Sequence, residues 1–234
     1  MQSNISKEFA TIWQTIFPDV CLSCKGLLHL SEQHLCTDCK LDLPITDFHY
    51  NNENYLWQKF AANIPITFAL SYLHFAKNSK VQKLLHYLKY YESPELGEML
   101  GQWYGYTLQK YNFEQQIDLL LPVPLHPSKL KLRGYNQSDC FAKGLAHTSE
   151  IDWADDVLIR NKNTETQTKK NRIQRWQNVN NIFEVTKPEK IINKHIVIVD
   201  DVITTGATTE ACLNTVLEAG AGRVSVVTLA SVAS

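Results

Sequence analysis

The chain has 234 residues, which fits one or two domains, and its 44% hydrophobic and 20% charged residues are typical of a globular protein rather than a disordered one. Its 23 basic and 24 acidic residues give a net charge of −1, which excludes nucleic-acid binding driven by overall positive charge. No apolar run approaches the ~20 residues of a membrane-spanning helix, so we expect no insertion into a membrane. The first residues lack the basic and apolar pattern of a secretory signal, which predicts a cytoplasmic protein.

The first element that the sequence predicts is an amphipathic helix over residues 4–17. Apolar side chains recur at helical spacing from Ile5 to Ile16, and Pro18 ends the pattern. We expect this helix to pack against a neighbouring element.

Four cysteines follow as two closely spaced pairs, Cys21 with Cys24 and Cys36 with Cys39. In a reducing compartment, the pattern C-x2-C-x11-C-x2-C indicates one tetrahedral metal site rather than disulfides. Structural zinc in a small ribbon is the favoured interpretation; iron in a rubredoxin-like site and a redox pair are the alternatives. Four thiolates leave no open coordination position, so this site is expected to hold structure and to perform no chemistry.

The domain organisation follows from a change in composition after the cysteines. Residues 43–65 contain two prolines and an asparagine-rich run, which is typical of a connection between domains. We therefore predict an N-terminal helix and zinc ribbon in residues 1–42, a linker in residues 43–65, and a second domain in residues 66–234.

Short apolar runs alternate with helical patterns throughout the second domain, which predicts an α/β core with a mostly parallel sheet. The predicted strands are residues 66–73, 118–126, 182–185, 196–201 and 224–231, and the predicted helices are residues 81–91, 94–110, 136–147 and 208–219. In the second of these helices, Gly97, Gly101 and Gly105 form a small-residue stripe that indicates close helix packing. Cys140 and Cys212 are expected to be buried helix residues without a chemical role.

The most informative segment is IVIVDDVITTGATT, residues 196–209. A buried strand ends in Asp200 and Asp201, and a loop rich in threonine leads directly into a helix. A helix N-terminus at the carboxyl end of a parallel strand presents unpaired N–H groups to a phosphate, and Gly206 allows close approach or a positive φ. The adjacent carboxylates would accept hydrogen bonds from sugar hydroxyls or share Mg²⁺, so the segment predicts a sugar-phosphate site. The alternative is a threonine-capped turn with solvated acids.

Two basic segments accompany this loop in the sequence. Residues 160–175 contain six basic residues and one acidic residue, and residues 126–135 contain three basic residues and no acid. Such cations suit a pyrophosphate group, because guanidinium groups bind phosphate oxygens bidentately. The alternatives are a solvated polar loop and a groove for single-stranded DNA in which Trp176 or Tyr135 stacks on bases.

Three motifs in order resemble a known family. IVIVDDVITTGATT is similar to the 5-phosphoribosyl-1-pyrophosphate (PRPP) signature of type I phosphoribosyltransferases, and residues 120–138 and 160–183 resemble two further signatures of the ComF family of competence-associated proteins. Together with the zinc ribbon, the resemblance covers nearly the whole chain. It implies a type I phosphoribosyltransferase-like fold, in which Asp200 and Asp201 contact the ribose hydroxyls. For the remainder of PRPP it implies contacts from Pro124, Leu125, His126, Arg133, Arg160, Gln167, Arg172, Arg175, Thr204, Thr205, Gly206, Ala207 and Thr208.

In this resemblance the threonine loop holds the 5′-phosphate, residues 122–126 receive the pyrophosphate with Arg133 behind them, and the segment from Arg160 to Arg175 closes over the site. It implies a Mg²⁺-dependent transferase with PRPP and an acceptor that the sequence does not identify. The alternative is a non-catalytic PRPP sensor or an accessory protein that handles single-stranded DNA, whose zinc ribbon docks on a partner such as a competence helicase. His126 is either a proton donor or a helix-capping residue.

Overall fold

The computed structural model describes residues 19–51, 53–91, 93–113, 117–161 and 182–232, so the helix predicted over residues 4–17 lies outside the described part. The helices are α1 (Thr37–Leu41), α2 (Tyr55–Ala61), α3 (Lys80–Tyr90), α4 (Pro94–Gln109), α5 (Pro127–Arg133), α6 (Gln137–Ser149) and α7 (Ala207–Glu218). The strands are β1 (Ile66–Phe75), β2 (Leu119–Pro122), β3 (Leu158–Arg160), β4 (Phe183–Val185), β5 (His195–Ile203) and β6 (Arg223–Val232). Among these residues, no helix has the length and apolar character to cross a membrane.

The main sheet has the strand order β1-β6-β5-β2, and all of its neighbouring pairs are parallel. Its central strand, β5, carries Val197, Ile198 and Val199, all fully buried, as expected for a strand covered on both faces. The crossover from β5 through α7 to β6 forms a βαβ unit. The predicted α/β class with a parallel sheet is thereby confirmed.

The glycine stripe of α4 faces α6. A Cβ atom placed on Gly101 would lie 2.3 Å from the carbonyl oxygen of Phe141, and one placed on Gly105 would lie 1.8 Å from the Thr148 hydroxyl oxygen. The backbones of the two helices can approach this closely because the glycines lack side chains. The predicted close packing is therefore confirmed, and so is the burial of Cys140, on α6, and of Cys212, on α7.

Residues 43–65, predicted as a linker, also contribute to the core. Helix α2 buries Leu56 and Phe60, and a short antiparallel bridge pairs Ile45 with Leu73 of β1. Two backbone hydrogen bonds support the bridge, one from Thr46 N–H to the carbonyl of Tyr72 and one from His74 N–H to the carbonyl of Pro44, at 2.9 and 2.8 Å. The segment thus packs on the edge of the sheet as well as joining the cysteine region to it.

The strand predicted over residues 118–126 is too long, since β2 ends at Pro122. Proline has no N–H to donate to a ladder, and a second proline follows at position 124. Helix α5, which the sequence analysis does not predict, begins directly after this region with Pro127 in its first turn. Strands β3 and β4 form a separate antiparallel pair, with Arg160 opposite Phe183.

Candidate functional site

The carboxyl end of β5 carries the paired acids of the proposed site. Asp200 is only 8% exposed, and its carboxylate accepts hydrogen bonds from the hydroxyls of Ser138, at 3.2 Å, and Thr209, at 3.0 Å. It also accepts a hydrogen bond from the backbone N–H of Asp201, at 2.8 Å. These contacts join β5 to the first turns of α6 and α7, so Asp200 fixes the relative position of three elements.

Burial and the neighbouring charge of Asp201 raise the pKa of Asp200 to about 7, although the hydrogen bonds from Thr209, Asp201 and Ser138 act in the opposite direction. Burial disfavours the ionised carboxylate, and a second negative charge nearby adds to that effect. The pair therefore carries less negative charge near neutral pH than its two acids suggest, which favours the approach of an anionic ligand.

Asp201 is the more accessible of the two acids. One of its carboxylate oxygens lies 2.9 Å from the ammonium group of Lys89, at the end of α3, and the other accepts a hydrogen bond from the backbone N–H of Val202 at 2.8 Å. Since about 15% of the Asp201 side chain is exposed, it can reach a hydroxyl group or a cation that Asp200 cannot.

The loop between β5 and α7 is open to solvent, with Thr204, Thr205, Ala207 and Thr208 all exposed. Gly206 adopts a φ of +84°, as the sequence predicts, and stands at the N-cap of α7. A side chain larger than hydrogen would be strained there and would press against Phe60, whose ring lies 3.1 Å from the position of a Cβ atom. The loop thus presents hydroxyl groups and the N-terminal N–H groups of a twelve-residue helix on one exposed surface.

A lysine that the sequence analysis misses also reaches this loop. The ammonium group of Lys59, on α2, donates a hydrogen bond of 2.7 Å to the carbonyl oxygen of Thr204. Because Lys59 stands 145 residues before Thr204, no local pattern connects the two. Its charge adds to the anion-attracting character of the α7 N-terminus.

The segment predicted to receive pyrophosphate lies at the same edge of the sheet, because β2 is the neighbour of β5. The backbone N–H of Val123 donates to the carbonyl of Val199 at 2.8 Å, and Pro124, Leu125 and His126 continue from there, each half-buried. His126 is the N-cap of α5, and its side chain accepts from the backbone N–H of Ser128. This confirms the helix-capping interpretation of His126.

Arg133 and Arg160 occupy different surroundings. Arg133, at the end of α5, donates to the side-chain oxygen of Gln137 at 2.8 Å and lies over the ring of Tyr90, 5.7 Å from its centroid. Arg160, at the end of β3, shares a cavity of about 460 Å³ with Pro124 and Leu125. The structure thus brings Arg160 together with the predicted pyrophosphate segment. Gln167, Arg172 and Arg175, the remaining predicted contacts, lie outside the described residues.

The four cysteines of the ribbon converge. Cys21, Cys24, Cys36 and Cys39 place their sulfur atoms within 4.8 Å of one another, and the Cys24 and Cys36 sulfurs are 3.7 Å apart. Thiolates about 2.3 Å from a tetrahedral ion stand about 3.8 Å from each other, so the cluster has the geometry to hold a metal ion.

One domain family and several known proteins are similar to this chain. The phosphoribosyl transferase domain family matches residues 140–234. The DNA utilization protein YhgH of Escherichia coli O157:H7 is 26% identical over 230 residues, covering 89% of this chain and 95% of that protein. Competence protein F of Haemophilus influenzae is 25% identical over 199 residues, covering 80% and 86% of the two chains. Competence protein ComFC of Bacillus subtilis is 27% identical over 213 residues, covering 89% and 84%.

Among solved structures, the glutamine PRPP amidotransferase of B. subtilis in complex with ADP and GMP aligns with a TM-score of 0.40 at 25% identity. The alignment covers 58% of this chain and 26% of that one, so the chain spans about a quarter of that enzyme.

The parallel sheet, the threonine loop at its edge and the domain match define the class of this chain, a phosphoribosyltransferase-like α/β protein. Within that class the chain is similar, over most of its length, to competence proteins and DNA utilization proteins, which supports its resemblance to the ComF family. The resemblance that the sequence motifs indicate is thereby confirmed.

Proposed function

We propose that this protein binds PRPP together with Mg²⁺ at the carboxyl edge of its parallel sheet. The observation that carries the proposal is the exposed Thr204–Thr208 loop, which joins the N-terminus of α7 to a strand ending in two carboxylates. A helix N-terminus and hydroxyl donors suit the 5′-phosphate, and an accessible carboxylate suits ribose hydroxyls. The match to the phosphoribosyl transferase domain family supports the same assignment.

We assign each part of PRPP to particular residues of the chain. Thr204, Thr205 and Thr208 donate to phosphate oxygens, and Asp201 accepts from the ribose while Asp200 holds α6 and α7 in place. We assign the pyrophosphate group to Arg160 and the segment after β2, which together line a cavity of about 460 Å³. Gln167, Arg172 and Arg175 are proposed to complete the anion contacts. Mg²⁺ would neutralise charge on the pyrophosphate, which is the chemistry that it supplies when bound.

Isothermal titration calorimetry of the protein with PRPP at millimolar magnesium tests binding. The variant Asp201→Ala removes the accessible carboxylate and is expected to lose the heat of binding. Asp156→Ala is the matched control, because Asp156 is an exposed aspartate that pairs with Lys187 and does not line the cavity of about 460 Å³. An absence of heat from the wild-type protein would overturn the proposal.

Whether the site catalyses transfer is decided by a second measurement. In a transferase, the bond between the ribose C1 and the pyrophosphate oxygen breaks while the acceptor forms a bond to C1, so pyrophosphate is released. We propose a transferase, and we test it by following pyrophosphate release with a panel of bases, amines and nucleic acids. Binding of PRPP without release in any of these mixtures would instead indicate a sensor.

We infer that the four cysteines hold structural zinc. A closed set of four thiolates matches the coordination that zinc prefers, and it leaves no position for a substrate. The thiols must remain reduced to bind the ion, which supports a cytoplasmic location. A rigid ribbon of this kind suits docking on a protein partner such as a competence helicase.

A second candidate function is the handling of single-stranded DNA. The names of the similar proteins concern DNA utilization and competence. The basic segment proposed to contact DNA, with Arg172, Arg175 and Trp176, lies outside the described residues. A surface among the described residues, lined by lysines and tyrosines next to the cysteine region, favours this function.

A further inference from the structure

A cavity of about 530 Å³ lies between the cysteine region and α3, away from the paired acids. We call it the tyrosine groove and define it by Lys25, Lys83, His86, Tyr87 and Tyr91, which line it. Helix α3 buries its apolar side chains against the sheet and leaves Tyr87 half-buried against the core. His86 and Tyr91 are exposed, so core packing does not account for their aromatic character.

The aromatic rings of the groove contact one another, and Tyr90 next to the groove extends the set. The Tyr87 and Tyr91 centroids lie 4.7 Å apart, and His86 is 5.7 Å from Tyr91 and 4.8 Å from Tyr90. Tyr90 and Tyr91 are 60% and 57% exposed. Their exposed rings are therefore accessible to another molecule.

Cations stand at both ends of this set of rings. The ammonium group of Lys25 donates a hydrogen bond to the Tyr87 hydroxyl and lies 4.4 Å from the centroid of that ring, and Arg133 lies over Tyr90 at the other end. A third cation, the ammonium group of Lys83, lines the same cavity and donates to the carbonyl oxygen of Ser23 at 3.3 Å. None of the residues that line the groove is acidic, and across the described ranges no ion pair ties up Lys25 or Lys83.

We propose that the tyrosine groove binds single-stranded DNA. Every base offers a π-face that can stack on an exposed tyrosine, and lysines along the same path can follow the phosphates. Four rings contact one another in series, from Tyr87 through Tyr91 and His86 to Tyr90, which is more than one base can stack on and favours a strand over a mononucleotide. Bases of duplex DNA are stacked on each other, so a duplex cannot use these rings.

This inference deepens the second candidate function and does not depend on PRPP binding. The groove shares no residue with the Thr204–Thr208 loop, so the two activities can be lost separately. Variants of the groove are expected to bind PRPP like the wild-type protein, and Asp201→Ala is expected to bind DNA like the wild-type protein.

The test is fluorescence anisotropy of a labelled oligothymidylate with the full chain loaded with zinc. Tyr91→Ala is expected to weaken binding about tenfold, as the loss of one stacked base does, while Tyr91→Phe retains the affinity. Tyr106→Ala is the matched control, because Tyr106 is 58% exposed on α4 and does not line the groove. Zinc content and thermal unfolding show that each variant is folded.

A second measurement, the salt dependence of DNA affinity, tests whether the two lysines contact phosphates. The double variant Lys25→Gln with Lys83→Gln is expected to reduce the slope of log affinity against log salt by about 1.4, because each phosphate contact on a single strand contributes about 0.7. Lys110→Gln, which removes an exposed charge at the end of α4, leaves the slope unchanged. Wild-type affinity in Tyr91→Ala, an unchanged slope in the double variant, or equal competition by duplex DNA would each overturn the proposal.

Discussion

Around the four cysteines the chain leaves large apolar side chains in solvent, with Leu27 67% and Leu41 79% exposed, whereas the strand that carries the paired acids is fully buried from Ile196 to Val199. The cysteine region buries few apolar side chains, Leu35 and Leu43 among them, so we expect it to depend on bonds from its sulfur atoms to an ion. The sheet edge depends on packing and hydrogen bonds. Loss of one ligand atom should therefore disrupt the first region, while the second should tolerate loss of a ligand-binding side chain.

The largest expected effect comes from breaking the cysteine cluster. Cys21→Ser should abolish zinc binding and unfold residues 19–43, because metal binding supplies the folding free energy of such modules, about 10 kcal/mol or more. Metal analysis and hydrogen exchange over residues 19–43 measure the two effects. Cys140→Ser serves as the control, since Cys140 is buried on α6 and should leave zinc bound. One zinc per chain in Cys21→Ser would contradict the prediction.

The next largest effect concerns the packing of α4 against α6. Gly101→Ala places a methyl group against the backbone of α6, and such overpacking should lower the free energy of unfolding by about 3 kcal/mol. Urea unfolding measures the change, with Tyr106→Ala on the outer side of the same helix expected to stay within about 0.5 kcal/mol of the wild type. Since the metal site is separate, zinc content should remain unchanged; a stable Gly101→Ala protein would show that α4 and α6 are loosely packed.

A smaller effect follows from the raised pKa of Asp200. The folded state binds this proton more tightly than the unfolded state, so the stabilisation is fully present below about pH 4 and is lost as the pH rises through about 7. Relative to Asp200→Asn, the wild-type free energy of unfolding should fall by on the order of 3 kcal/mol over this interval. Urea unfolding at a series of pH values measures the difference.

Asp156 provides a control of opposite sign. The hydrogen bond from Lys187 lowers the pKa of Asp156, so its contribution to stability is lost only as the pH falls below the ordinary range of an aspartate. Asp156→Asn should therefore show no difference in slope from the wild type between about pH 5 and pH 7. Parallel stability curves for the wild type and Asp200→Asn would contradict the assignment of a raised pKa to Asp200.

The smallest expected effect is on ligand affinity at the threonine loop. Lys59→Met removes a cation that contacts the backbone of Thr204 and should weaken PRPP binding by about 1 kcal/mol, roughly fivefold, with little change in stability. Calorimetry measures it, and Lys59→Arg should retain most of the affinity because the charge remains. Lys110→Met is the control for general charge effects. Equal affinity of Lys59→Met and the wild type would exclude Lys59 from the site.

The sequence predicts what depends on local patterns and misses what depends on distant contacts. The strand and loop from Ile196 to Thr209 are predicted because the apolar strand, the two aspartates and the start of the helix are contiguous in the sequence. Strand β3 has only three residues, too few to show a period, and is not predicted. The contacts of Lys59 with the loop and of Lys89 with Asp201 join residues more than a hundred positions apart, and no spacing rule connects such pairs.

Helix α2 and the bridge at Ile45 have a practical consequence for dissecting this protein. A fragment that starts at Ile66 would strip Leu56 and Phe60 from the face of the sheet and expose an apolar surface to water. It would also lack Lys59, next to the loop proposed to hold phosphate. We expect such a fragment to aggregate when expressed, and we expect truncation after the cysteine pairs to be tolerated only if residues 44–65 are retained.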